Sequence, residues 1–314
     1  MADEPGTREE VERPVVAVRF KVTNHQRTVG IAVRQPRQRR SLEDRVSWTL
    51  MVYEFLDNDQ FSNLDTLVLQ LAPHSCLITL DGNAAKGRPR GDMAKLMGVM
   101  ERHDAEVTDA KSSLFRADDL GQQLRVLLGE EAALAQHNLT QDMPLGSSCV
   151  SCLITALGLT SGGGDEEGDG QGEGGWAYEL KHGNLGAHMR LDSAAAAAAT
   201  LLPDPSSPHQ FGSLYQVLNR CKTKMGGRLL EHWLRQPLTD KLEIEGRQDM
   251  VGLLKDEAGL RSGLQDGPLR ACPDLDLLKT KMQRKKAGLP EVFKMYVFAR
   301  GLLSFVGVFE SHLQ

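Results

Sequence analysis

Apolar residues recur every second position at the start of the chain and every third or fourth position later on. Val16, Val18, Phe20 and Val22 alternate with Ala17, Arg19 and Lys21, which predicts a half-buried strand. Residues 24–27 are a polar turn, and residues 29–33 predict a strand that pairs back as a hairpin. Residues 49–55 are a third strand candidate. Ser62 then opens a helix with Asp65 three residues on and Leu64, Leu67, Val68 and Leu71 on one face. Residues 76–80 read as a buried strand. Asp92 starts a helix carrying Met93, Leu96, Met97 and Met100, and residues 106–108 read as a short strand. Asp118 opens a helix with Leu120, Leu124, Leu127 and Leu128, and a helix over 149–159 closes the series. Three strands followed by alternating helices and strands predict an α/β layer with helices covering a mixed sheet.

Beyond residue 175 only the helical period remains. The six alanines at 194–199 predict a helix, because alanine is the best helix former. Prolines at 203–208 break the chain. From Ser213 to Val251 three short helices are predicted. Leu214, Val217, Leu218 and Cys221 share one face. Thr223 caps the second helix, whose apolar side carries Leu229, Leu230, Trp233 and Leu234, and Pro237 ends it. Asp240 with Glu243 starts the third, with Ile244, Val251 and Leu254 as its stripe. Helical faces follow at Leu260 with Leu264 and at Leu275, Leu278 and Met282. Residues 292–309 read as a core helix, since Lys294 and Arg300 inside it disfavour a membrane span.

Composition separates these two halves. The 314 residues carry a net charge of −5, which argues against a generally basic nucleic-acid binder. The acidity is local. Residues 161–175 hold five acids and no base, and this Gly-rich stretch reads as a linker too polar to pack. From Ser213 onward there are 17 Lys and Arg against 12 Asp and Glu. Five scattered cysteines fit a reducing compartment. Residues 1–13 are polar and predict a disordered start rather than a secretory signal. The expected domains are therefore 14–160, then the linker 161–175, then 176–314.

The run Leu218-Asn219, Thr223, Gly226, Arg228-Leu229-Leu230, Trp233, Pro237-Leu238, Asp240, Ile244, Arg247, Val251 resembles the core-domain signature of the MutS DNA mismatch-repair family. Asp57-Asn58-Asp59-Gln60-Phe61-Ser62-Asn63-Leu64 resembles the connector domain of the second-homologue subfamily of eukaryotes. The resemblance runs from about Val15 to Gln314 and covers only the middle of such a protein, so a fragment is expected. It implies an α/β plus all-α fold: a ribonuclease-H-like connector followed by the start of a helical core. The basic stretch at 36–45 is longer than the family pattern and reads as an insertion. Asp274-Leu275-Asp276-Leu277-Leu278 departs from it, with Leu277 where the family has arginine, which puts a polar contact there in doubt.

A ribonuclease-H-like sheet invites a nuclease hypothesis. Two-metal cleavage needs carboxylates clustered on central strands. The first strand has none, Asp57 and Asp59 lie past a strand end, and Asp92 reads as a helix cap, so nuclease activity is rejected. Cys149-x-x-Cys152 lacks the second pair or the histidines that zinc would need, and reads as core. No G-x-x-x-x-G-K-[ST] occurs, so ATP binding by this chain is not expected; the ATP and magnesium of the full-length family belong to another part. Lys279, Lys281, Arg284, Lys285 and Lys286 are candidate phosphate contacts, weighed against a solvated helix face. Thr223, Gly226, Arg228, Trp233, Pro237, Asp240 and Arg247 read as structural signature residues. Trp233 is expected to fill core and Arg228 to pair with Asp240 across the helix break.

The resemblance implies a nuclear mismatch-repair role as connector and core scaffold of a DNA-dependent ATPase. It also implies a second MutS-type subunit and a MutL-type protein as partners. For this piece DNA binding is expected to be weak or absent, and neither enzymatic activity nor a membrane is expected. The alternative is a stand-alone interaction protein that binds MutL- or MutS-type partners without DNA or ATP activity.

Overall fold

The opening alternation becomes a hairpin. The computed structural model describes residues 13–24, 26–36, 46–80, 91–130, 133, 142–160, 177–203, 212–283 and 285–313. In it β1 (Val15–Thr23) pairs antiparallel with β2 (Gln26–Pro36), and Asn24 turns the chain at φ 50°, a left-handed conformation that asparagine tolerates. β2 pairs antiparallel with β3 (Val46–Asp57). On the other side β1 takes β4 (Ser75–Ile78) in parallel, and β4 takes β5 (Glu106–Asp109) in parallel. A sixth strand, β6 (Ala177–His182), pairs parallel with β3, so the order is β5-β4-β1-β2-β3-β6. The sequence reading assigns β6 to the helical part. Its own signal is two apolar residues, Tyr178 and Leu180, and only the pairing with β3 makes it a strand. The compact α/β unit accordingly runs Arg13–Leu185, and a helical unit takes Gly186–Gln314.

Both faces of the sheet are covered. α1 (Ser62–Leu71) and α2 (Asp92–Arg102) pack on the face carrying Val16, Val18, Val29, Ile31 and Val33. The other face carries Ala17, Ala32, Trp48, Leu50 and Val52. It receives a 3-10 turn (Ser112–Phe115), α3 (Leu120–Leu128) and α4 (Pro144–Ala156). The first half of β1 is buried on both faces, Ala17 being as inaccessible as Val16, while Arg19, Lys21 and Val22 beyond it are exposed. Small residues there are a seat for α4 rather than a solvent face. A Cβ on Gly30 would lie 2.5 Å from the Leu145 carbonyl carbon, and one on Gly146 would lie 2.7 Å from Val52 Cγ1. Glu54 Oε2 accepts from the Leu145 and Gly146 amides at 2.8 and 3.0 Å, satisfying two free donors at the start of α4.

In the helical unit the short helices are set by their caps. Asp192 accepts from the Ala195 amide to start α5 (Ser193–Ala198). Ser213 and Gln216 form a capping box on α6 (Leu214–Leu218). α7 (Lys224–Arg235), α8 (Lys241–Asp256), α9 (Ala258–Asp266), α10 (Pro268–Ala271), α11 (Leu275–Gln283) and α12 (Leu289–Leu313) follow. Leu260, Leu264 and Leu278 are buried. α12 is not the core helix its apolar run predicts. It meets α9, α10 and α11, yet Leu289, Phe293, Tyr296 and Leu303 stand in solvent. No described helix is long and apolar enough to cross a membrane. The acidic stretch 161–175, the 37–45 insertion, residues 204–208, the first twelve residues and Arg284 lie outside the described residues.

Candidate functional site

The signature residues converge on the α7–turn–α8 segment. Thr223 Oγ1 accepts from the Gly226 amide at 3.0 Å and starts α7. Gly226 has little room: a Cβ there would lie 3.0 Å from Thr223 Oγ1 and 3.4 Å from Cys221 Cβ. Gln236 ends α7. Pro237 turns the chain, and its carbonyl accepts from the Met189 amide at 2.8 Å. Asp240 caps α8 by accepting from the Glu243 amide at 3.0 Å.

Two expectations about this segment are corrected. Arg228 pairs with Asp274 rather than Asp240. Its guanidinium donates to both Asp274 oxygens, at 2.9 and 2.7 Å, and to Asp276 at 2.8 Å. Asp240 is taken by the α8 cap, while the start of α11 is held over α7, a juxtaposition that spacing cannot show. The Leu277 amide also donates to Asp274, at 3.3 Å. Burial opposes ionisation of Asp274, but the Arg228 hydrogen bonds and charge outweigh it and hold the carboxyl below its ordinary value. Trp233 does not fill core. It is 38% exposed, and the Arg247 guanidinium lies 4.1 Å over its ring. Two signature residues thus serve each other, linking α7 to α8.

The candidate phosphate contacts divide. Lys279 and Lys281 lie on α11, and Lys285 and Lys286 are exposed in the turn after it, with Lys285 at φ 54°. Lys281 is held by Glu291 at 3.4 Å. Arg284 lies outside the described residues. A short basic turn remains, with part of its charge already answered.

In the α/β unit the acids weighed for nuclease chemistry each have a structural task. Asp57 accepts from the amides of Asn58, Asn63 and Leu64 at the entry to α1. Asp59 binds Lys95 at 3.2 Å, and Asp92 binds Arg27 at 2.9 Å. Phe61, fully buried at φ 58°, packs edge-on against Phe20, so the Asp57–Leu64 run forms a structural knot between β3 and α1. Cys149 and Cys152 are buried on α4, and burial pushes both thiols up, Cys152 to about 12. Among the described residues no group of three or more His, Cys, Asp and Glu is placed to hold a metal ion. Glu54, which anchors α4, has no sequence signal, since a lone acid at the end of a strand pattern looks solvent-facing.

The MutS domain III family model matches residues 199–312. DNA mismatch repair protein msh-2 of Neurospora crassa is 34% identical over 310 residues, 98% of this chain and 31% of that protein. DNA mismatch repair protein MSH2 of Saccharomyces cerevisiae is 33% identical over 291 residues, 86% of this chain and 28% of that protein. DNA mismatch repair protein MutS of an Exiguobacterium species is 39% identical over 106 residues, 34% of this chain and 12% of that protein. The chain thus spans under a third of the length of the curated relatives it matches.

Proposed function

This chain belongs to the MutS family of DNA mismatch-repair proteins, and we propose that it serves mismatch repair as a connector and core scaffold without catalytic activity of its own. The observation that carries the reading is the likeness to the Neurospora protein over nearly the whole chain. The signature also behaves as a set: Thr223 and Asp240 cap α7 and α8, and Arg247 stacks on Trp233. The strand order, with β2 antiparallel to both neighbours, supports reading Arg13–Leu185 as a ribonuclease-H-like connector. The helical unit is then the first part of the core.

The rest follows from family membership. A second MutS-type subunit and a MutL-type protein are the partners, and the nucleus is the compartment. ATP and magnesium belong to a part of the relatives outside this segment, because the sequence has no phosphate-binding loop to fit them. Lys279, Lys285 and Lys286 make at most weak, sequence-independent phosphate contacts.

The test is a graft. This chain replaces the aligned segment of the Saccharomyces protein, and mutation rate is measured by fluctuation assay in a strain lacking the native copy. A rate near that of the intact strain is expected. A null-level rate from a chimera that accumulates normally and binds its partner subunit would refute the scaffold reading.

A further inference from the structure

The two sides of α12 differ in what they meet. Met295, Phe298, Phe305 and Val308 are partly covered. Phe298 packs edge-on against Phe305, with ring centroids 6.2 Å apart, and Val308 reaches α9, where a Cβ on Gly263 would lie 3.3 Å from its Cγ1. On the other side Leu289, Val292, Tyr296, Ala299, Leu303 and Val306 are exposed, Leu289 and Leu303 at 82% and 80%. These six follow one another in alternating steps of three and four residues, the a/d repeat of a coiled-coil seam.

The stripe fits a copy of itself. A second α12 set antiparallel, with a twofold axis passing between Val297 and Phe298, puts Leu289 opposite Val306, Val292 opposite Leu303 and Tyr296 opposite Ala299. Each pairing then occurs twice, as an isologous interface requires. The largest side chain of the stripe meets the smallest, so the layers can interdigitate at even spacing. A parallel pair would instead stack Tyr296 on Tyr296 and Ala299 on Ala299, a crowded layer next to a gap.

The exposed area is also sufficient. With Phe293, Val297 and Leu302 at its flanks, the apolar side chains of this helix leave roughly 800 Å² open to water. A seam that covers about two-thirds of it on each copy buries roughly 1,100 Å² in total, at the lower end of specific protein interfaces. We propose that the 289–306 stripe is a homodimer seam, on which two copies of this chain pair through antiparallel α12 helices. An interface of this size gives a dimer that forms and dissociates with concentration.

Sedimentation equilibrium of the full chain over a concentration series tests this. The mass is expected to rise with concentration from 34.5 kDa towards twice that value. Leu303→Glu and Val292→Lys each put a charge into the seam, and each variant alone is expected to stay at monomer mass. Both positions are open to solvent in the single chain, so the far-ultraviolet circular dichroism of each variant should match the parent. Mixed in equal amounts, the two variants should regain the dimer, because the antiparallel register sets the introduced carboxylate against the introduced ammonium and leaves the other layers apolar. Leu242→Glu, on α8 and 78% exposed, is the control and should dimerise as the parent does. A parent that stays at monomer mass throughout, which would leave the stripe to a different occupant, would overturn the proposal. So would a Leu303→Glu chain that still dimerises, a Leu242→Glu chain that does not, or a mixture that stays monomeric.

Discussion

Replacing Gly30 by alanine drives a methyl group into backbone. The new Cβ would sit 2.5 Å from the Leu145 carbonyl carbon and 2.6 Å from the Gly146 nitrogen, where ordinary contact begins near 3.4 Å. Neither atom is the end of a flexible side chain, so α4 must retreat by roughly 1 Å or β2 must bend. Overpacking of this kind costs about 1–3 kcal/mol. The retreat also lengthens the bonds from Glu54 to the Leu145 and Gly146 amides and from the Cys149 thiol to the Gly30 carbonyl. Loosening the charge-assisted pair adds about 1.5–3 kcal/mol, for a total of roughly 2.5–6 kcal/mol. In a unit of this size that lowers Tm by about 5–24 °C. Gly98→Ala is the control, since it lies within α2 with nothing within 4 Å of its Cβ, and it should stabilise by about 0.8 kcal/mol. Urea denaturation of the two variants beside the parent measures both. A Gly30→Ala loss under about 1 kcal/mol, or equal losses from both, would refute the close seat of α4.

Arg228→Ala and Asp274→Asn should each destabilise the helical unit by about 1–2 kcal/mol and be strongly non-additive when combined, whereas Arg228→Ala and Asp240→Ala should add; a double-mutant cycle decides. Because Asp274 is held below its ordinary 3.8, its contribution is present above that value and is lost as pH falls through the folded one. Acid titration of stability should show this fall in the parent and not in Arg228→Ala. Asp57→Ala should cost about 1–2 kcal/mol by removing the acceptor for amides at the entry to α1, read by urea denaturation. Under native conditions a thiol reagent should modify exposed Cys221 first and leave buried Cys76, Cys149 and Cys152 untouched; early reaction at α4 would contradict their burial.

The parts legible in the sequence are those whose signal is local. Thr223 and Asp240 sit at their caps because a side-chain oxygen three residues before a free amide acts within one turn. The Ala-rich helix forms behind Asp192 for the same reason. The hairpin follows from alternation and a polar turn. The misreadings share one cause, that burial depends on what lies across the interface. Ala17 and Ala32 look like an outward face until α4, rich in Gly, Ser and Cys, closes over them. The apolar run of α12 reads as core, yet much of its circumference has no neighbour here. β6 is a strand only because β3 pairs with it.

The linear sequence by itself determined the two-part plan and the helix starts and stops of the Ser213–Val251 segment, because capping, proline breaks and periodicity act over one to four residues; the likeness to the MutS family rests on the residue identities of that segment. Tertiary structure alone decided partners across distance. It set Asp274 rather than Asp240 opposite Arg228, Arg247 over Trp233 and Glu54 at the head of α4. Each pair is joined only after helices or strands dock, and docking is settled by which faces bury apolar area and close small-residue seats, a property of the whole unit that no local spacing encodes.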